Sequence, residues 1–179
     1  MDGLYKDKRR GRLDCISEGF SVRELVGKKQ VLQKPFEKIM RLEEAISRTP
    51  GAKFGDDCCP LKHLFGDNLY IREITMARGT VLTSKIHKTT HPYFVMKGDV
   101  TVTTDDGTVR IKAPHWGITK AGTKRALYIN EETVWVTVHS TKETDLVEIE
   151  KEVIAENYEA LPERVKREIE GNILEGTVV

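Results

Sequence analysis

His87 and His91 stand four residues apart, with Lys85 two residues before His87 and Arg125 further along the chain, and these four side chains have the types and spacing to do chemistry. In an extended segment successive side chains alternate between two faces. Over 80–87 the odd positions Val81, Thr83, Lys85 and His87 therefore share one face, and Leu82, Ser84 and Ile86 the other. If the segment belongs to a closed barrel, turning the polar set inward makes a pocket rather than an apolar plug. His91, just before Pro92, begins the next strand beside the same mouth. Two imidazoles from adjacent strand ends are the beginning of a transition-metal site. Without an ion, Lys85, His87, His91 and Arg125 form a cationic pocket in which Arg offers a planar fork and Lys a point charge. The expected occupant is then a small anionic group: a phosphorylated or acidic sugar, or an acidic side chain of a neighbouring protein. In the bland alternative Lys85 and Arg125 pair with Glu73, Glu131 or Glu132 and the barrel binds nothing.

Other residues near these positions admit two readings each. Tyr93, Trp116, Tyr128 and Trp135 could stack on a sugar face at the mouth, or anchor a core or interface. Cys59 and His63 are spaced for a thiolate and imidazole pair on a metal, without a second cluster to complete it. Three cysteines, Cys15, Cys58 and Cys59, do not make a disulfide framework, so reduced thiols are expected. There is no Gly-rich phosphate loop and no serine nucleophile elbow.

The elements that must position these groups follow from patterning. Ser21-Val22-Arg23-Glu24 has capping-box spacing and predicts a short helix over 21–29. Pro35 suits a first helical position, and Phe36, Ile39, Met40 and Ile46 recur at helical spacing until Thr49-Pro50-Gly51. From about 61 to 140 the chain changes to short runs of β-branched and aromatic residues separated by Gly, Asp and Pro. Strands are expected over 69–76, 80–87, 92–97, 99–104, 108–112, 116–119, 125–130 and 133–139. Without intervening helices they predict an all-β antiparallel sandwich or barrel. Thr104-Asp105-Asp106-Gly107-Thr108 is a hairpin turn. The acidic segment 145–154 reads as a helix, and Pro162 begins another that Gly171 ends, with Glu163–Arg167 and Arg164–Glu168 pairs on its solvated face.

The stretch from Gly79 to Gly98 resembles the first motif of the cupin superfamily, in which two His and a Glu stand at fixed intervals between glycines. Aligned on the glycines, Lys85 falls at the first His position, His87 at the second and His91 at the Glu position. Lys120-Ala121-Gly122-Thr123-Lys124-Arg125 is similar to the second motif, with Arg125 at the last ligand position. The resemblance covers about residues 61–140. Pro114-His115-Trp116-Gly117 and Thr133-Val134-Trp135-Val136-Thr137-Val138-His139 also resemble uncharacterised cupin-like proteins of bacteriophages. It implies a cupin-like jelly-roll barrel over 61–141, between a basic N-terminal arm with helices over 1–60 and an acidic helical extension over 142–179. It also implies that a tight metal meets resistance. At ~5 Å and an effective dielectric of about 20, each cation facing a divalent ion costs on the order of 6 to 7 kcal/mol. His63, His115 or His139 could supply a third ligand from another strand.

Composition narrows the partners. The 179 residues carry 29 Lys+Arg and 28 Asp+Glu, a net charge of +1 that gives no reason to expect nucleic acid, beyond a basic arm of Lys6, Lys8, Arg9, Arg10 and Arg12. Charge is unevenly spread: +4 over 1–50, +4 over 51–142 and −7 over 143–179, so arm and tail could join copies of the chain. No apolar run long enough for a membrane span or a secretory signal is seen, and synthesis in a cytoplasm is expected. The expectation is a non-catalytic, homo-oligomeric binding or assembly module without cofactor, in a virion or in its assembly with other such proteins, holding a small anionic ligand on Lys85, His87, His91, Arg125, Tyr93 and Trp116. Two alternatives remain: a metal-dependent isomerase or dioxygenase using His87 and His91 as ligands of a divalent transition metal, and a carbohydrate binder without catalysis.

Overall fold

The computed structural model describes residues 14–17 and 36–175. The expected helix over 21–29 and the basic residues from Lys6 to Arg12 lie outside them. The described chain runs through β1 (Asp14–Ser17), α1 (Glu37–Arg48), β2 (Lys53–Phe54), β3 (Leu61–Gly66), β4 (Leu69–Met76), β5 (Thr80–Thr83) and β6 (Ile86–His87). It continues with β7 (His91–Thr104), β8 (Gly107–Lys112), β9 (His115–Thr119), β10 (Ala126–Ser140), α2 (Leu146–Val153), β11 (Ile154–Ala155) and α3 (Glu163–Glu175). Nine strands form one antiparallel sheet ordered β2-β1-β5-β10-β4-β3, with β7 joining β10 to β8 and β9. The all-β antiparallel architecture expected from the strand pattern, and the jelly roll that the resemblance implies, are thus the ones observed. β1 and β2, both before residue 61, extend the sheet beyond β5.

Two pairs of expected strands prove to be single long strands. Segments 92–97 and 99–104 are one strand, β7, because Gly98 takes φ +95° and lets the chain kink without ending its pairing. Across that kink the buried side chains switch from odd positions (His91, Tyr93, Val95) to even ones (Val100, Val102). Segments 125–130 and 133–139 likewise merge into β10, whose register against β7 shifts between Ile129 and Trp135. β10 is the centre of the barrel, flanked by β5 and β7 in its first half and by β4 and β7 in its second. The Asp105-Asp106 turn connects β7 to β8 as expected, with Thr104 paired to Gly107. Inside, Met76, Leu82, Val100, Leu127, Ile129 and Trp135 form the main core.

The segment 80–87 departs from expectation in a way that matters for the site. It is broken between β5 and β6, where Ser84 N–H donates to the Arg125 carbonyl at 2.8 Å and Ser84 Oγ accepts from Arg125 N–H at 2.9 Å. The alternation therefore does not run through. In β5 the even residue Leu82 faces the core, while Val81 packs on Leu42 and Ile46 of α1. In β6 the odd residue His87 faces the cavity, and Ile86 joins a second cluster with Phe36, Leu161 and Val165. Val81 and Thr83 thus do not share a pocket face with Lys85 and His87.

Helix α1 buries Ile39, Leu42 and Ile46, the positions that recur every three to four residues, whereas Met40 lies off that stripe and is 42% exposed. Its first turn is held from a distance: Phe36 N–H donates to Asp105 Oδ2 at 2.8 Å, so the β7–β8 turn clasps the helix start. Its far side is tied by a buried ion pair, Lys124 Nζ to Glu43 Oε1 at 2.9 Å, with Thr83 Oγ1 donating to the same carboxylate oxygen. Removing the carboxylate strands a buried ammonium, which is strongly unfavourable. Glu43→Ala is expected to destabilise the protein by about 3 kcal/mol in urea denaturation, with Glu43→Gln intermediate because it still accepts both bonds.

Helix α2 is capped by Asp145, which accepts from Val147 and Glu148 N–H at 2.9 and 3.1 Å. It lays Ile149 and Val153 against Tyr70 at one end of the barrel. Helix α3 does not stop at Gly171 but runs on to Glu175, since Gly171 does not take the positive φ of a helix end. Arg164 pairs with Glu168 as expected, but Glu163 pairs with Lys166 instead of Arg167. Among the described residues no helix is long and apolar enough to cross a membrane.

Candidate metal centre

Three histidines meet at the end of the barrel covered by α2. His87 comes from β6, His91 opens β7, and His139 lies one residue from the end of β10. The antiparallel register that sets Thr137 opposite Tyr93 carries His139 alongside His91 two residues further on. β6 is pinned by its pairing with β11, where Ile154 lies opposite His87. The three imidazoles are all buried, and one ring nitrogen from each lies within 4.8 Å of the other two. Ring centroids are 4.3 Å apart for His87 and His91, 4.4 Å for His91 and His139, and 5.0 Å for His87 and His139.

The hydrogen bonds around the rings decide which nitrogens are bare. His91 Nδ1 lies 3.0 Å from the Thr89 carbonyl, which can only accept, so Nδ1 carries the proton and Nε2 the lone pair. His91 Nε2 is buried with no hydrogen-bond partner. His139 bonds through Nε2 to Thr137 Oγ1 at 3.2 Å, and its Nδ1 is likewise buried and unpartnered. Orphaned buried polar atoms are rare in folded proteins, and each calls for an explanation. An outer hydrogen bond on one nitrogen with the other bare, within a buried histidine cluster, is the arrangement of a metal ligand with its orienting partner.

Charge points the same way. Burial first, then the neighbouring imidazoles and Arg72 and Arg125, hold His87 well below the ordinary histidine range. Burial lowers His91 as well, aided by Arg125 and opposed by the Thr89 bond. His139 is lowered to about 3, by burial, then His91 and Arg72. All three are therefore neutral near pH 7, which is the ligating form.

The remaining expected site residues divide. Lys85 lines the cavities beside His87 but pairs with Glu150 of α2, so its charge is largely offset, and by a carboxylate other than Glu73. Glu73 pairs with Lys62 and Glu132 with Lys97. Arg125 lines a cavity of about 70 Å³ with His87 and His91. Tyr93 and Trp135 stack on each other with centroids 4.6 Å apart, and Arg125 sits over both rings. Trp116 lies apart: paired with Phe94 on the outer face of β7 and β9, it is 70% exposed and does not line the cavity. Tyr128 is also on the surface.

Of the three histidines that could complete the pair, only His139 joins it. His63 bonds Tyr70 Oη at 2.7 Å beside the adjoining cavity, and the exposed His115 bonds Tyr93 Oη at 3.2 Å. Cys59 and His63 do not form a metal pair. The Cys59 thiol faces the core, and burial pushes its pKa up to about 11, far from a ligating thiolate. Cys58 is in a disulfide, which overturns the expectation of reduced thiols there. The signal for His139 was its odd parity with Trp135 and Thr137 along β10, but the facing strand had to be known before parity could place it.

No family model matches the chain. No curated protein matches it either. Among solved structures it is similar to a cupin superfamily protein from Desulfitobacterium hafniense, at 14% identity and TM-score 0.41, over 47% of this chain and 78% of that one. Ectoine synthase from P. lautus is similar at 15% identity and TM-score 0.43, over 53% and 72% of the two chains. An acetylacetone dioxygenase from Acinetobacter johnsonii is similar at 16% identity and TM-score 0.38, over 49% and 71%.

Proposed function

We propose that this protein holds a divalent transition metal on His87, His91 and His139 and uses it on a small organic molecule admitted at the barrel end. The observation that carries this reading is the trio of buried, neutral imidazoles with two ring nitrogens left bare. The donor set fits: imidazole suits zinc, nickel, iron and copper, and three protein ligands leave positions open, as at catalytic rather than structural centres. Such an ion would supply Lewis-acid or redox chemistry. The electrostatic objection to a metal is also reduced, because Lys85 is offset by Glu150, although Arg125 and Arg72 still lie near the rings.

Elemental analysis of protein purified without chelators tests this. About one equivalent of metal per chain is expected in the wild type, below about a tenth in His139→Ala, and no change in His115→Ala, whose ring lies outside the cluster. Wild-type protein without metal, and unable to take up zinc or nickel, overturns the proposal. A second reading, a non-catalytic homo-oligomeric binding or assembly module of a phage particle or of its assembly, draws support from the exposed apolar residues Phe94, Met96, Trp116 and Ile118 on the outer sheet face. The same metal assay separates the two, since an assembly module has no use for a bare histidine trio.

A further inference from the structure

Arg125 is a half-buried cation with no counter-ion among the described residues. It leads into β10 from the turn that follows β9, and its Nη2 donates to the buried Thr119 Oγ1 at 2.9 Å. Its guanidinium carbon lies 5.4 Å from the Tyr93 ring centroid and 5.9 Å from that of Trp135. Among the described residues no carboxylate comes within ion-pairing distance of it. The acids near the site are engaged elsewhere, Glu150 by Lys85 and Glu43 by Lys124. Aromatic faces offset part of a guanidinium's desolvation but bring no negative charge. A charge that burial draws partly out of water, as it does Arg125, is normally paired, and one that is not marks a place where the partner comes from outside.

The cavity beside it shows what that partner looks like. Arg125 shares its lining with His87, His91 and Arg72 and with the aliphatic Met76, Leu82 and Leu127. The lining thus combines cationic and aliphatic side chains. The guanidinium presents a planar fork, and a single hydrogen bond to Thr119 leaves most of its five N–H groups for a ligand. A carboxylate matches that fork in shape and charge, and the aliphatic lining accepts the carbon chain behind it.

We infer that the cavity binds a small organic acid, its carboxylate on Arg125 and its hydrocarbon body along Leu82, Leu127 and Met76. The assignment names the ligand class of the proposed metal centre but stands on Arg125 and not on the ion. The test is calorimetric titration of butyrate, butyramide and inorganic phosphate into wild-type protein, Arg125→Met and Arg125→Lys, each chelator-treated and zinc-loaded. Butyrate is expected to bind the wild type at millimolar concentrations or tighter, and the neutral butyramide on the order of 10- to 100-fold more weakly, the value of a charge-assisted hydrogen bond. Arg125→Met should lose butyrate binding by a similar factor, and Arg125→Lys should fall between, since it keeps the charge but not the fork. Equal affinity for butyrate and butyramide, phosphate bound more tightly than butyrate, or undiminished butyrate binding by Arg125→Met overturns the inference. If Arg125→Met does not fold, the comparison of the three ligands on wild-type protein decides alone. Zinc content is measured separately on the same samples. Protein that binds butyrate but no zinc therefore sinks the metal reading only, and protein that binds zinc but no carboxylate sinks this one only.

Discussion

Taking the chelator-treated protein from about pH 7 to about pH 4 is expected to remove about 3 kcal/mol of stability through His139 alone. In the folded state burial lowers this imidazole to about 3, whereas the unfolded chain titrates near the ordinary histidine value of about 6.5. Below the unfolded value the unfolded chain binds a proton that the folded chain refuses, so stability is full above that value and falls as pH drops toward the folded one. Each unit in that window costs about 1.4 kcal/mol per histidine. His87 and His91 are shifted in the same direction, chiefly by burial, and steepen the loss. Urea denaturation across a pH series checks this, with His139→Ala as the comparison. The expected result is a steep acid limb in the wild type and a shallower one in the variant. Stability that stays flat to pH 4 would show that the rings are not buried and neutral as described. Bound metal competes with the same protons, so zinc should move the acid limb to lower pH.

Gly98→Ala is expected to cost more than about 4 kcal/mol, enough to leave most of the protein insoluble. A Cβ at this position would lie 2.3 Å from the Glu132 carbonyl oxygen and 2.7 Å from Thr133 Cα, both backbone atoms, at a φ of +95° that side chains rarely adopt. Neither strand can give way, because β7 and β10 are each paired on both sides in this region. The glycine sets the kink at which β7 changes the parity of its inward side chains, and so it keeps both His91 and Val100 facing in. Gly107→Ala, which meets nothing within 4 Å, is the control for positive φ alone and should cost far less. Soluble yield and thermal unfolding measure both. A Gly98→Ala protein as stable as the wild type would mean that β7 and β10 do not approach as described.

The local signals in the chain were sound where the physics is local. Glycine, proline and aspartate punctuation located the strands from β4 to β10 and the Asp105-Asp106 turn, but not β1, β2, β3 or β11, and periodicity and Pro162 located α1, α2 and the start of α3. Where Gly98 and the irregular stretch of β10 fell inside a strand, the same punctuation suggested breaks that pairing on both sides overrides. Gly171 was read as a helix end for the same reason, although nothing there requires a positive φ.

The site was half legible. His87 and His91 are four residues apart and resemble a known pattern, so sequence alone brought them together and named Lys85 and Arg125 beside them. That Lys85 is offset by Glu150, 65 residues away, and that Val81 and Thr83 turn away from the cavity, depended on a break in one strand and on a helix docking across the barrel end. His139 could be nominated but not chosen over His63 and His115, since its place follows from the pairing of β10 with β7. Residue types and spacing along one strand determine which groups are available for chemistry. Only the tertiary structure decides which charges cancel and which nitrogens are left bare, because both depend on contacts between segments distant in the chain, whose registers local sequence does not encode.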